Sequence, residues 1–171
     1  MPGPRRAPAR PEPVGPGQES VWDYPRPPRL EPTGSVIEIV FGGVRIAMTD
    51  HALLVLETSH PPTYYLPVAA FAPGSLRPTA GFSLCEWKGL AAYVDVIGGD
   101  GRVAPRAAWT YPRPTPPYQA LADHVAVYAG PMDRCTVDGE VVTPQPGGFY
   151  GGWVTSRVAG PFKGEPGTEF W

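Results

Sequence analysis

The sequence predicts a mainly β fold of compact, antiparallel hairpins in sheets, with at most one short helix. Proline and glycine occur 25 and 21 times in 171 residues, about twice their average usage, so long helices are unfavourable. Short β-branched and aromatic segments alternate with glycine-rich turns, as in hairpins. The hydrophobic fraction of 42% supplies one core, and the length is typical of a single domain.

The chain begins with a segment that is too polar to fold. Residues 1–18 contain six prolines and almost no large apolar side chain, so burial cannot offset the entropy of ordering them. We therefore predict a disordered Pro/Arg-rich tail over 1–18 and a single all-β domain over 19–171. Within 20–29, Trp22 and Tyr24 are costly to leave in water, and we expect this stretch to pack on the domain as a strap.

Three hairpins follow in order along the chain. Each pairs two apolar segments around residues that accept a tight turn, such as Gly42–Gly43 or Asp138–Gly139. The predicted strand pairs are 36–41 with 44–47, 90–97 with 102–103, and 135–137 with 140–142. Residues 117–122 form the one predicted helical turn, because proline suits the first helical position.

Charge and composition exclude several classes of partner. There are 14 basic and 16 acidic residues, a net charge of −2 and a pI of 5.9, whereas nucleic-acid-binding domains typically have a pI above about 9. No apolar run approaches the roughly 20 residues of a membrane span, and the N-terminus lacks the apolar stretch of a secretory signal. We expect no nucleic-acid or membrane partner and a cytoplasmic location.

The cysteines indicate neither a metal site nor a cofactor. Cys85 and Cys135 stand alone, and with His51, His60 and His124 they do not form the paired spacing of a structural zinc site. A disulfide between the two cysteines would be unusual in a reducing cytosol. We predict no metal and no cofactor.

The densest polar cluster lies in residues 56–67. Glu57 precedes His60 by three positions in a proline-stiffened loop, which could hold a carboxylate and an imidazole together for proton transfer. Alternatively, these side chains only satisfy the hydrogen bonds of loop backbone groups. Both interpretations remain open at this stage.

A second cluster lies in residues 82–89. Lys88, beside Glu86 and Trp87, could bind an anionic group or pair with Glu57, and Cys85 could act as a nucleophile if Lys88 favoured its thiolate. In the alternative interpretation Lys88 is solvated, Trp87 lies in the core and Cys85 is an inert small apolar residue.

A third cluster, residues 144–153, places Phe149, Tyr150 and Trp153 among four glycines. Neither a G-x-G-x-x-G nor a P-loop pattern is present, so no nucleotide site follows. The aromatic residues either wall a groove or belong to a C-terminal strap, residues 130–171, that covers an open sheet edge.

Several ordered motifs resemble one family. Residues 57–67 (ETSHPPTYYLP), 85–89 (CEWKG), 108–112 (AWTYP) and Met132–Asp133 are similar to the family known as domain of unknown function 427. The family core would map to about 36–129, with residues 22–28 and 145–153 as extensions of one branch. The resemblance implies the β-tent-like fold, and the family carries a nucleotidyltransferase-like label. After Pro67 the family pattern usually has acidic residues, whereas this chain has Val68–Ala70.

Together these features predict a small-molecule-binding β domain, with or without catalysis. Its polar end would contain Glu57, His60 and Lys88, with Cys85 as a weaker catalytic candidate. The predicted ligand-binding residues are Tyr64, Tyr65, Glu86, Trp87, Trp109, Tyr111 and Tyr150. One alternative is a non-catalytic interaction module that forms a homodimer or binds another partner, and a second is a nucleotidyltransferase-like enzyme, which rests on the family label alone.

Overall fold

The structure is a computed structural model that describes residues 9–171. The strands within this range are β1 (Glu19–Ser20), β2 (Arg29–Thr33), β3 (Ile37–Phe41), β4 (Val44–Thr49), β5 (Ala52–Leu56), β6 (Thr63–Pro67), β7 (Leu76–Cys85), β8 (Gly89–Ile97), β9 (Val103–Thr110), β10 (His124–Val127), β11 (Arg134–Val137), β12 (Glu140–Val141), β13 (Thr143–Pro144), β14 (Trp153–Val154) and β15 (Val158–Ala159). The predicted mainly β class is confirmed.

Helical structure within residues 9–171 consists of three short 3₁₀ segments, Val21–Asp23, Val68–Ala70 and Pro116–Leu121. The last of these contains most of the predicted helical turn, and prolines occupy its first positions. The other two are single turns that the sequence does not predict. They leave little periodic signal, because three residues are too few for an apolar stripe.

Two antiparallel sheets form most of the domain. The larger has seven strands in the order β2-β5-β6-β10-β9-β8-β7, and each neighbouring pair is antiparallel. The smaller has four strands in the order β12-β11-β3-β4. The three predicted hairpins are confirmed as β3–β4, β8–β9 and β11–β12, so local turn chemistry was sufficient to identify them.

The main core lies between these two sheets. It contains apolar side chains of the four-stranded sheet, such as Ile37 and Ile39, together with Leu66, Ala108 and Val127 of the seven-stranded sheet. Because side chains alternate between the two faces of a strand, their neighbours in sequence point away from this core. The second face of the seven-stranded sheet therefore carries its own apolar cluster, which includes Tyr65, Trp109 and Ala126.

The C-terminal region contributes to the interior. Residues 130–171 are predicted to form a strap, but β11 lies inside the four-stranded sheet and Trp153 is only 1% exposed. The indole of Trp153 stacks on Tyr64 at 5.1 Å and donates a hydrogen bond to the Val127 carbonyl over 2.9 Å. This part of the chain is thus integral to the core as well as a cover.

The N-terminal strap packs against the C-terminal region. Val21 and Tyr24 are buried, and Trp22 meets Trp171 edge to face at 5.3 Å. Of the segment predicted to be a disordered tail, residues 1–8 lie outside the described residues. Within residues 9–18, the Glu12 amide donates to the Gly160 carbonyl over 2.8 Å, and the Gln18 side chain donates to the Ser156 carbonyl over 3.0 Å.

Candidate functional site

A cavity of about 600 Å³ opens on the second face of the seven-stranded sheet. Its aromatic walls come from strands of this sheet and from the segment following β9. Residues 149–151 and 169–171, from the C-terminal region, also line it. The aromatic lining residues are Tyr65, Trp87, Tyr93, Trp109, Tyr111, Tyr128, Phe149, Tyr150, Phe170 and Trp171.

Two polar segments that are distant in sequence line this same cavity. Glu57 and His60 belong to the loop between β5 and β6, whereas Trp87 and Lys88 belong to the turn between β7 and β8. β5 is the second strand from one edge of the seven-stranded sheet and β7 is the opposite edge strand, yet both segments line one hollow. This arrangement is the one that the pocket hypothesis requires.

Glu57 is held by two basic side chains. Its Oε2 atom lies 3.1 Å from Nε of Arg26 and 3.4 Å from Nε2 of His60. Burial alone would raise the pKa of Glu57. The contacts with His60 and Arg26, together with the charge of Lys88, outweigh this effect and lower the pKa to about 2. Glu57 is therefore a carboxylate at neutral pH.

The orientation of His60 is determined by Gln145. The Gln145 side chain accepts a hydrogen bond from the Gly152 amide over 3.0 Å and donates one from Nε2 to the Lys163 carbonyl over 2.9 Å. This assigns the amide nitrogen to the side that lies 2.9 Å from Nδ1 of His60. Because that nitrogen donates, Nδ1 must accept, and the imidazole proton lies on Nε2, facing Glu57.

Lys88 differs from the other cations of the site. The residue is 8% exposed, and its Nζ atom lies 5.6 Å from the centre of the Tyr111 ring. Within residues 9–171 no hydrogen bond or ion pair holds this ammonium, although its charge contributes to lowering the pKa of Glu57, which pairs with Arg26 and His60. No side-chain nitrogen or oxygen of the described chain is sealed from solvent without a hydrogen bond, so Nζ must reach the open cavity.

The floor of the cavity is a packed aromatic layer. Nε1 of Trp109 donates to the Tyr65 hydroxyl over 3.3 Å. The pKa of Tyr65 is raised by burial, and that of Tyr111 is raised by burial and by the neighbouring Tyr65 and Cys85. These phenols therefore remain protonated at neutral pH and present hydrogen-bonding groups rather than charges.

The structure places most of the predicted site residues at this cavity. Glu57, His60 and Lys88 lie at its polar end, and Tyr65, Cys85, Glu86, Trp87, Trp109, Tyr111 and Tyr150 also line it. Tyr64 is the exception: it points into the main core and stacks on Trp153. The reason is strand alternation, since adjacent residues of β6 face opposite sides of the sheet.

Of the lining residues that were not predicted from the sequence, three make polar contacts that shape the site. Arg26 pairs with Glu57 and also donates to the Trp171 carbonyl over 2.9 Å. Gln145 orients His60, and Nζ of Lys163 lies 3.2 Å from the same Trp171 oxygen and over the Tyr150 ring. Each lies far in sequence from its partner, and no motif spacing links them. Of the three, only Gln145 has an unusual local sequence, because it lies between two prolines.

The residues after Pro67 lie elsewhere. Val68–Ala70 form a 3₁₀ turn, and Ala69 and Ala70 border a separate surface hollow beside Met48 and His51. The chain's departure from the family pattern at this point therefore does not alter the lining of the aromatic cavity.

The two cysteines have different surroundings. Cys135 is buried in the main core, and burial raises the pKa of its thiol to about 12. Cys85 is partly exposed at the cavity, and both are free thiols. Across residues 9–171, no three His, Cys, Asp or Glu side chains are grouped to hold a metal ion. No helix in that range is long and apolar enough to span a membrane.

Comparison with known protein families places this chain in one of them. No curated protein matches the chain. The family model described as Domain of unknown function (DUF427) matches residues 29–138, which include both polar segments of the cavity but exclude Arg26, Gln145 and Lys163. Because the match covers more than half of the chain, this protein belongs to the DUF427 family.

Proposed function

We propose that this protein binds a small aromatic organic acid in the cavity, with the acid group against Lys88. The observation that carries the proposal is Lys88. The residue is 8% exposed, its ammonium reaches the cavity, and within residues 9–171 no hydrogen bond or ion pair holds that ammonium. Because most of the Lys88 residue is covered by protein, its ammonium keeps only the water of the cavity, and a bound anion would form a charge-assisted hydrogen bond with it.

The distribution of charge supports an anionic ligand. Arg26, Lys88 and Lys163 line the cavity along with Glu57, Glu86 and Glu169. Glu57 is already paired with Arg26 and His60, whereas Glu86 and Glu169 are exposed and their charges are screened by water. The least solvated charge that faces the hollow is therefore positive.

The walls support an aromatic body for this ligand. Tyr65, Trp87, Trp109 and Tyr111 surround the hollow with flat apolar faces and a few hydrogen-bonding groups. Cavities of about 300–1,000 Å³ with such linings are typical of small-molecule sites. Aromatic rings pack against such walls in edge-to-face or offset geometry.

The geometry favours binding over proton transfer. A pKa of about 2 makes the Glu57 carboxylate a weak base. Both ring nitrogens of His60 are engaged, Nδ1 by Gln145 and Nε2 by Glu57. We therefore assign Glu57 and His60 to positioning the polar end of the cavity and include no catalytic step in the proposed function.

Calorimetric titration with benzoate and with its neutral isostere benzamide tests the proposal. We expect benzoate to bind and benzamide to bind at least tenfold more weakly. Lys88→Met should abolish the preference for benzoate, whereas Arg45→Met, which removes an exposed cation on β4, should retain it. Equal binding of the two compounds, or an unchanged preference in Lys88→Met, would overturn the proposal.

A second candidate function is that of an interaction module that forms a homodimer. It is favoured by the hairpin of β7 and β8, which lies at one edge of the seven-stranded sheet. Leu84 and Leu90 pair across β7 and β8 and are 78% and 50% exposed. Exposed apolar patches often mark protein interfaces, and β7 is an edge strand. Sedimentation equilibrium tests this candidate: a dimer that Leu90→Ser dissociates would support it, and a monomer at all concentrations would exclude the homodimer.

The nucleotidyltransferase-like label of the family is a third candidate that rests on the name alone. It predicts pyrophosphate release from nucleoside triphosphates in the presence of Mg²⁺. An enzymatic pyrophosphate assay over the four common triphosphates tests it directly.

A further inference from the structure

We infer that the ligand of this cavity is an amphiphilic acid, whose apolar body extends from Lys88 across the cavity mouth. This inference rests on the proposed function and narrows the class of ligand. It arises from an apolar rim, defined here as Leu84, Phe149 and Phe170, which are 78%, 68% and 91% exposed and line the same cavity as Lys88.

The rim is assembled from separate parts of the chain. Leu84 comes from β7, Phe149 from the loop between β13 and β14, and Phe170 from the segment after β15. Scattered single apolar residues on a surface need no explanation, but a contiguous apolar patch usually marks a binding surface. Here three separate segments place large apolar side chains around one opening.

The rim is also continuous with the polar end. Phe149 packs edge to face on Tyr150 at 4.9 Å, and Tyr150 packs edge to face on His60 at 4.6 Å. A wall of packed rings thus runs from the exposed Phe149 through Tyr150 to the imidazole beside Glu57. A molecule with its acid group at Lys88 could bury its remaining length against this wall.

A single amphiphilic ligand satisfies both features at once. A second copy of the chain that covered only the rim would leave the hollow unfilled and the Lys88 ammonium unpaired. A short acid would pair with Lys88 but leave the rim in water. Burying each additional CH₂ group stabilises a complex by about 0.8 kcal/mol, which corresponds to roughly fourfold in affinity at full burial.

The test is a titration series of benzoate, 4-phenylbutyrate and 8-phenyloctanoate, each below its aggregation concentration. We expect the dissociation constant to fall about two- to fourfold for each added CH₂ until the chain has passed the rim. Replacing Phe149 or Phe170 with serine should weaken 8-phenyloctanoate at least fivefold and leave benzoate within twofold. Phe82→Ser is the matched control, since Phe82 is 68% exposed on the same strand as Leu84 but does not line the cavity.

The outcomes separate this inference from the proposed function. Binding of benzoate with no gain along the series, or rim variants equal to wild type for 8-phenyloctanoate, would overturn the inference and leave the proposed function standing. Failure of every acid, including benzoate, would overturn both. A dimer in wild type that the rim substitutions dissociate would assign the rim to a second copy and would also overturn the inference.

Discussion

The side-chain amide of Gln145 lies 2.9 Å from Nδ1 of His60, although the two residues are 85 positions apart in sequence. Gln145 belongs to the region after the family match and His60 to the region within it. The same amide also binds the Gly152 nitrogen and the Lys163 carbonyl. One side chain therefore both orients the imidazole and ties the covering loops to the site.

This contact predicts the tautomer of His60. Long-range ¹H–¹⁵N correlation spectra of the folded protein at pH 8 should show the pattern of an imidazole protonated at Nε2, because Gln145 donates to Nδ1. Gln145→Met should remove this preference and destabilise the protein by about 1–3 kcal/mol, since backbone partners in the Gly152–Lys163 region lose their hydrogen bonds. Gln119→Met, at an exposed glutamine of the Pro116–Leu121 segment, is the control, and an Nδ1-protonated pattern in wild type would contradict the assignment.

The lowered pKa of Glu57 predicts a specific loss of stability in acid. A carboxyl group whose pKa is about 2 in the folded state and about 4.5 when unfolded stabilises the fold above pH 4.5, and this contribution disappears as the pH falls towards 2. At about 1.4 kcal/mol per pH unit, it amounts to at most about 3 kcal/mol. Urea titrations between pH 2 and 7 should therefore show a flatter acid limb for Glu57→Gln.

The matched control for that experiment is Glu31→Gln, which alters a more exposed carboxyl group that pairs with Arg29 on the protein surface. Its acid limb should follow that of wild type. If Glu57→Gln and wild type lose stability in parallel below pH 4.5, the Glu57 carboxylate is not stabilised as described.

The burial of Trp153 predicts that the C-terminal region is needed for stability. Trp153→Ala should cost about 3–5 kcal/mol, because it opens a cavity beside Tyr64 and leaves the Val127 carbonyl without its donor. Phe170→Ser, at an aromatic residue that is 91% exposed, should stay within about 0.5 kcal/mol of wild type. Chemical denaturation of both variants checks this, and equal effects would place Trp153 outside the cooperative core.

Gly151 predicts a steric constraint on the cavity wall. A Cβ atom at this position would lie 2.0 Å from the Trp109 ring, so Gly151→Ala must displace the indole or the loop at a cost of about 1–3 kcal/mol. Gly130→Ala is the control, because a Cβ there meets nothing within 4 Å. Thermal denaturation and tryptophan fluorescence should separate the two variants, and coincident results would mean that the loop yields freely.

The local parts of the fold were predictable because their causes are local. Gly42–Gly43 and Asp138–Gly139 favour tight turns between residues that suit strands, and in the structure these glycines and Asp138 do have positive φ values. Glycine and proline frequency likewise excludes long helices whatever the tertiary arrangement. Part of the lining of the candidate cavity was also predictable, because polar and aromatic residues are concentrated in the segments that contain Glu57 and Lys88.

Long-range packing decided the rest, because no residue encodes its distant neighbour in a local pattern. The assignment of Tyr65 to the cavity and Tyr64 to the core depends on which face of β6 meets the four-stranded sheet. Within residues 9–171, Arg26 and His60 pair with Glu57, whereas no ion pair holds the ammonium of Lys88. Chain composition and turn chemistry thus specify a hairpin-built β domain with clustered polar and aromatic residues, whereas sheet packing decides which of these side chains line the cavity.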